Sequence, residues 1–111
     1  MRFERTATMR LFCICLRDRS VLKRYAEAVG LGEFHALGRL AVKILVHSLV
    51  RNGNVVAVTP HRVAALVREC GLDRSATRTV SRAIKSYLRS LGIYPTFNNY
   101  VYRLADLVKA F

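Results

Sequence analysis

The sequence has no tryptophan, no glutamine, only two prolines, and seven acidic residues against 19 Lys+Arg. Each scarcity excludes something. The acids are scattered and form no pair, so there is no carboxylate dyad for acid–base work. The six glycines make no phosphate-cradling loop, and no nucleophile motif occurs. No enzyme is expected. The longest apolar run is Leu11–Leu16, far short of the roughly 18 residues that a membrane span requires. Arg10 and Arg17-Asp18-Arg19 flank it, and no small-residue cleavage site follows, so it is not a secretory segment either. An intracellular protein with no membrane partner is the expectation.

Cysteine is also sparse. Cys13, Cys15 and Cys70 are an odd set, unlike the framework of a secreted disulfide scaffold. With His47 or His61 they make a zinc set on paper, but the spacing fits no common finger or ribbon. Buried, inert thiols are expected, with no metal and no cofactor. Few asparagines, no glutamine and abundant arginine are a thermophile's bias. In such a source an intracellular disulfide is allowed.

What is present is positive charge. The chain is 111 residues, 52% hydrophobic and 23% charged, with a net charge of +12. That describes one domain with a modest core and a polyanionic partner. The charge concentrates in "DRSATRTVSRAIKSYLRSLG", residues 73–92. On a helix of about 100° per residue, Arg74, Arg78, Arg82, Lys85 and Arg89 fall within an arc of about 80°. Val80, Ala83, Ile84, Tyr87, Leu88 and Leu91 take the opposite side. One face packs and the other is a basic stripe. An ordinary solvated face would mix acids in at i,i+4, because like charges at that spacing repel. Here they run unrelieved.

The rest of the chain reads as short elements. Residues 1–9 form a polar lead, and Leu11–Leu16 is either a buried strand or the start of a helix. Ser20 caps a helix through Val29, punctuated by Gly30 and Gly32. A longer helix spans Glu33–Val50, with Phe34, Leu37, Leu40, Ala41, Ile44, Leu45, Ser48 and Leu49 on its buried face. Asn52-Gly53 stops it, and Val55–Val58 is a brief strand. Thr59-Pro60 opens the next helix as N-cap and first helical residue. Val63, Leu66, Val67 and Cys70 face inward, Gly71 ends it, and Leu72 plugs the core. The basic helix stops at Gly92. Ile93–Phe97 and Tyr100–Leu104 are β-prone runs joined at Asn98-Asn99, a hairpin pattern. Leu104, Leu107, Val108 and Phe111 repeat as a short amphipathic tail helix.

"TVSRAIKSYLRSLGI", Thr79–Ile93, resembles the recognition helix and first wing strand of winged helix-turn-helix regulators. "TPHRVAALVRECGL", Thr59–Leu72, resembles their positioning helix and turn. The resemblance covers residues 33–104. It implies a mainly α fold with a small β-hairpin wing (α+β), residues 1–32 being an N-terminal extension and 105–111 a tail helix. It further implies a DNA-binding transcriptional regulator, cytoplasmic and nucleoid-associated, that meets base edges near the start of its second helix. Here those positions are Ser75, Arg78, Ser81, Arg82 and Lys85. Arg pairs bidentately with guanine, while Arg89, further along, meets phosphate, and Arg74 joins the candidates as part of the stripe. Arg62, beside His61, and Arg103, the wing's one basic residue, complete the candidate set. The chain departs from the family at Asp73-Arg74-Ser75-Ala76-Thr77, which starts the helix a turn early with Asp73 or Ser75 as N-cap. Tyr94 and Tyr102 are expected to pack. Phe97 and Tyr100 either pack or stack on unpaired bases, which admits single-stranded nucleic acid beside double-stranded DNA as partner. A homodimer is expected through the apolar N-terminal segment and the tail. The alternatives are an accessory or interaction subunit of a nucleic-acid machine, and a non-specific chromatin or RNA-binding protein.

Overall fold

The computed structural model describes residues 3, 6–49, 53–96 and 98–111. Val50, Asn52, Phe97 and the side chain of Leu49 lie outside the described residues. The element order is α1 (Ala7–Arg17), α2 (Arg19–Val29), α3 (Glu33–Leu49), β1 (Val55–Ala57), α4 (Pro60–Glu69), α5 (Ser75–Ser90), β2 (Val101–Arg103) and α6 (Leu104–Leu107), followed by a 3-10 turn, Val108–Ala110. The fold is mainly helical with one small antiparallel sheet.

The N-terminal lead is not merely polar. Thr6 Oγ1 accepts from Met9 N at 3.1 Å, which satisfies an orphan donor and starts α1 at Ala7. Phe3 and Met9 are buried. The run Leu11–Leu16 is helical, and Phe12, Cys13 and Cys15 turn inward. Asp18, not Ser20, caps α2: its Oδ1 accepts from Ser20 N at 3.0 Å. That bond, with one from the Ser20 hydroxyl, holds the Asp18 carboxyl below the usual carboxylate range. Gly30, at φ 72°, ends α2 in the left-handed conformation that glycine adopts without steric cost.

Helix α3 is the axis of the core. It packs chiefly on α5, and α1 and α2 also lie against it. Leu37, Leu40, Ala41, Ile44 and Leu45 are buried as expected, but so are Ala36, Val42 and Val46. A helix with neighbours on several sides buries more than one stripe. Phe34 is the exception. It stands 42% exposed in the first turn, beyond the reach of the core. Gly38 lies where α3 and α5 approach most closely: a Cβ there would sit 2.7 Å from the Ala83 carbonyl carbon.

The cysteines correct the expectation of inert thiols. Cys13 on α1 and Cys70 at the end of α4 form a disulfide, with a Cα–Cα distance of 5.1 Å. Disulfides persist in oxidising compartments and inside hyperthermophiles. The Arg17 guanidinium donates to the Cys70 carbonyl, a second tie between the same two elements. Cys15 is free and buried, and burial pushes its thiol pKa up.

The sheet is built differently from the predicted hairpin. Val101–Arg103 pairs with β1, in the register Val55↔Arg103, Val56↔Tyr102 and Ala57↔Val101. The segment 93–97 is not a strand among its described residues; Thr96 N donating to Val101 O at 2.7 Å is its one backbone bond to β2. Pro95 has no N–H to give a ladder. A turn does form at Asn98, but it joins no hairpin among the described residues: its Oδ1 accepts from Tyr100 N at 2.8 Å and Val101 N at 3.0 Å.

The C-terminus differs too. In place of one amphipathic tail helix, α6 gives way to the 3-10 turn. Three residues per turn in the 3-10 segment bring Ala110 into line with Leu107. Leu107 and Ala110 are buried, while Val108 and Phe111 are turned outward. The Tyr87 hydroxyl donates to the Ala110 carbonyl and ties this end to α5.

Candidate nucleic-acid interface

Helix α5 runs from Ser75 to Ser90, with Val80, Ala83, Ile84, Tyr87 and Leu88 buried. That face fixes its rotation. Arg74, Ser75, Arg78, Arg82, Lys85 and Arg89 are consequently exposed, and Ser81 is half-buried between two of them. No carboxylate among the described residues pairs with Arg78, Arg82, Lys85 or Arg89; the ion pair of Arg19 with Glu33, at 3.1 Å, lies on other helices. The stripe is thus uncompensated.

The start of α5 follows from one residue. Asp73 accepts from the Ser75 backbone N–H at 2.9 Å and from the Ser75 hydroxyl. Both bonds hold its carboxyl below the usual carboxylate range. Arg74 stands at the N-cap position with no side-chain cap of its own. The helix does start before Thr79, as the extra residues imply. Its N-terminal turn exposes Arg74 and Arg78, while Ala76 packs against the core. Ser75 spends its hydroxyl on Asp73.

Two expected contacts fall away from the stripe. Arg62 is half-buried, and its Nη1 donates to the Ala57 carbonyl at 3.1 Å. It closes the end of β1 onto α4 and is not a free cation. Arg103 is exposed but lies on the other face of the sheet. Side chains alternate along a strand, and Tyr102, not Arg103, turns toward Lys85 and Ile84. Tyr102 is buried as expected, and burial raises its phenol pKa. Tyr94, expected to pack, stands 59% exposed. It follows the helix stop and has no strand partner to lie against.

Hollows border the stripe. The first, about 490 Å³, lies between α5, Pro60 and the sheet; Val58, Ile84, Tyr100 and Tyr102 line it beneath Arg78, Arg82 and Lys85. Lys85 Nζ sits 4.9 Å from the Tyr100 ring centroid, a cation–π distance. The second, about 660 Å³, lies toward α3 and is lined by Phe34, His35, Ser86 and Arg89. The third, about 90 Å³, joins Arg89 to Tyr94 and Pro95. Sequence reasoning missed Phe34 and His35. His35 Nε2 bonds Ser86 Oγ at 2.9 Å. Its ring lies 6.1 Å from that of Tyr87. A pairing across two helices leaves no mark in local sequence.

Among the described residues, no helix is long and apolar enough to cross a membrane. Among those residues, no group of three His, Cys, Asp or Glu side chains is placed to hold a metal ion. Compared with known proteins, the chain matches no family model, no curated protein and no solved structure.

Proposed function

We propose that the protein binds double-stranded DNA as a winged helix-turn-helix regulator, with α5 as the groove-reading helix and α4 as its positioning helix. The unpaired row Arg78, Arg82, Lys85 and Arg89 carries this reading. A helix about 10–12 Å across fits the major groove of B-DNA. The order α3, β1, α4, turn, α5, β2 supports this reading, with β2 and the turn at Asn98 before it serving as a short wing. Arg78 and Arg82, one turn apart, reach base edges. Arg74 and Arg89 meet phosphates. Cytoplasmic, nucleoid-associated localisation follows from that partner. Ile14 in the N-terminal segment and Val108 and Phe111 in the tail stay exposed, and these would serve a homodimer surface.

The test is a binding-site selection on the wild type and Arg82→Ala, with a salt titration and melting curves alongside. Arg82→Ala is expected to lose about 1–3 kcal/mol on the preferred site and to relax one or two positions. Its melting curve stays close to wild type, because the side chain is exposed. Ile84→Ala, at a position 1% exposed, is expected to lose about 2–5 kcal/mol of stability instead. Affinity falls steeply with salt as counterions are released. A wild type that selects no site overturns groove reading and leaves a non-specific chromatin or RNA binder. Salt-insensitive binding, or none, leaves the interaction-subunit reading.

A further inference from the structure

The hollow between α5 and the sheet has a composition that phosphate binding alone does not require. Its volume, about 490 Å³, is within the roughly 300–1,000 Å³ typical of small-ligand clefts. Its lining is apolar and aromatic: the buried Val58, Ile84 and Tyr102 form the floor, and the exposed Pro60 and half-buried Tyr100 stand beside it. Its rim is cationic, from Arg78, Arg82 and Lys85, none paired to a carboxylate of the described residues. Lys85 lies over Tyr100, so an ammonium and an aromatic face border the same opening.

A phosphate clamp needs the rim and has no use for the floor. Paired bases in B-DNA present edges in the major groove, and their faces stay in the stack. The floor and rim together suit a planar aromatic body carrying an anionic group. A base brings its face to such a surface only when it is unpaired or turned out of the stack.

We propose that this hollow is a nucleotide receptor. It takes one unpaired nucleotide, or a free nucleoside monophosphate of the same chemistry. The base lies against Tyr100 and Pro60, and the phosphate meets Arg82 and Lys85. The inference rests on the reading of α5 as a nucleic-acid-facing helix and adds a second mode of contact beside groove reading.

The experiment follows the methyl signals of Val58 and Ile84 and the ring signals of Tyr100 by NMR on the full chain. The probes are uridine and adenosine 5′-monophosphate, inorganic phosphate, a thymidine hexanucleotide, and a duplex. Saturable shifts of the floor signals are expected with the mononucleotides and the hexanucleotide, and not with phosphate. Tyr100→Ala and Lys85→Ala are each expected to weaken mononucleotide binding about tenfold, the scale of one lost stacking contact. Tyr100→Phe, which keeps the ring, is expected to restore it. Floor shifts of the hexanucleotide that depend on Tyr100, at lower concentration than the mononucleotides need, identify a strand as the source. Equal or weaker hexanucleotide binding identifies the free nucleotide. Shifts reproduced by inorganic phosphate, or confined to the rim, overturn the proposal. Duplex binding on the same samples separates the two readings. If Arg82-dependent duplex binding persists while the floor stays silent, only the receptor fails. If neither duplex nor nucleotide binds, the reading of α5 fails with it.

Discussion

Replacing Gly38 with alanine tests how tightly α3 holds α5 in place. On helix propensity alone the change should stabilise by about 1 kcal/mol, since glycine is the poorest ordinary residue in a helix interior. The packing says the opposite. A Cβ at position 38 would stand 2.7 Å from the Ala83 carbonyl carbon, closer still to its oxygen, and 3.1 Å from Tyr87 Cβ. The obstacle is the backbone of α5 and not the tip of a flexible side chain. Relief therefore requires the two helices to part by on the order of 1 Å, which loosens contacts along the Val80–Tyr87 face. Overpacking of this kind costs about 1–3 kcal/mol, and a backbone obstacle belongs at the upper end. Subtracting about 1 kcal/mol of propensity leaves a net loss of about 2 kcal/mol. For a domain of this size that lowers the melting temperature by about 8 °C. Urea and thermal unfolding followed by circular dichroism at 222 nm measure it. A Gly38→Ala protein as stable as wild type, or more so, refutes the close-approach argument.

Two further outcomes follow. Reducing the Cys13–Cys70 bridge, or replacing Cys13 and Cys70 by serine, is expected to lower stability by about 4 kcal/mol, the loop-closure entropy for a separation of 57 residues; denaturant midpoints with and without reductant that coincide would show that the bridge does not form. Tyr87 and Tyr102 have phenol pKa values raised by burial, so above pH about 10 the native state keeps protons that the unfolded chain has released. Stability is full below that pH and falls as pH rises through the raised values, and Tyr102→Phe should remove part of the slope; a melting temperature flat to pH 12 contradicts the burial.

How much of this was legible in the sequence depended on how local its cause was. The start of α4 was readable because Thr59 and Pro60 act within one turn, and Thr59 Oγ1 does accept from Arg62 N at 3.3 Å. The rotation of α5 was readable because one face is buried and one is not. Phe34 was misplaced because it keeps the apolar spacing but stands in the first turn of α3, before the helix reaches the core. The partner of β2 was illegible: β-prone runs identify strands but not pairings. Pro95 was the one readable warning against the hairpin. The disulfide left no trace in spacing, since it depends on α1 folding back onto the end of α4. Arg62 and Arg103 looked alike as isolated cations. Only the fold shows that one donates to the Ala57 carbonyl and the other lies on the far side of the sheet.

The basic stripe is a local conflict that the fold tolerates and does not resolve. Like charges at i,i+4 disfavour a helix by a few tenths of a kcal/mol per pair. Arg74 and Arg78 also stand at the N-terminal end, where the peptide dipoles already present positive charge. Asp73, bonded to Ser75, is the only acid at that end of the helix. The opposing term is burial: Val80, Ala83, Ile84, Tyr87 and Leu88 hold the helix from its other face. The charges are therefore held in place by contacts in which they take no part. Conflicts of this kind gather where a sequence serves a partner beyond its own fold. Phosphates along Arg78, Arg82, Lys85 and Arg89 would turn each repulsion into an attraction without moving the core. That is why the reading of α5 as the polyanion-facing helix rests on its missing acids as much as on its arginines.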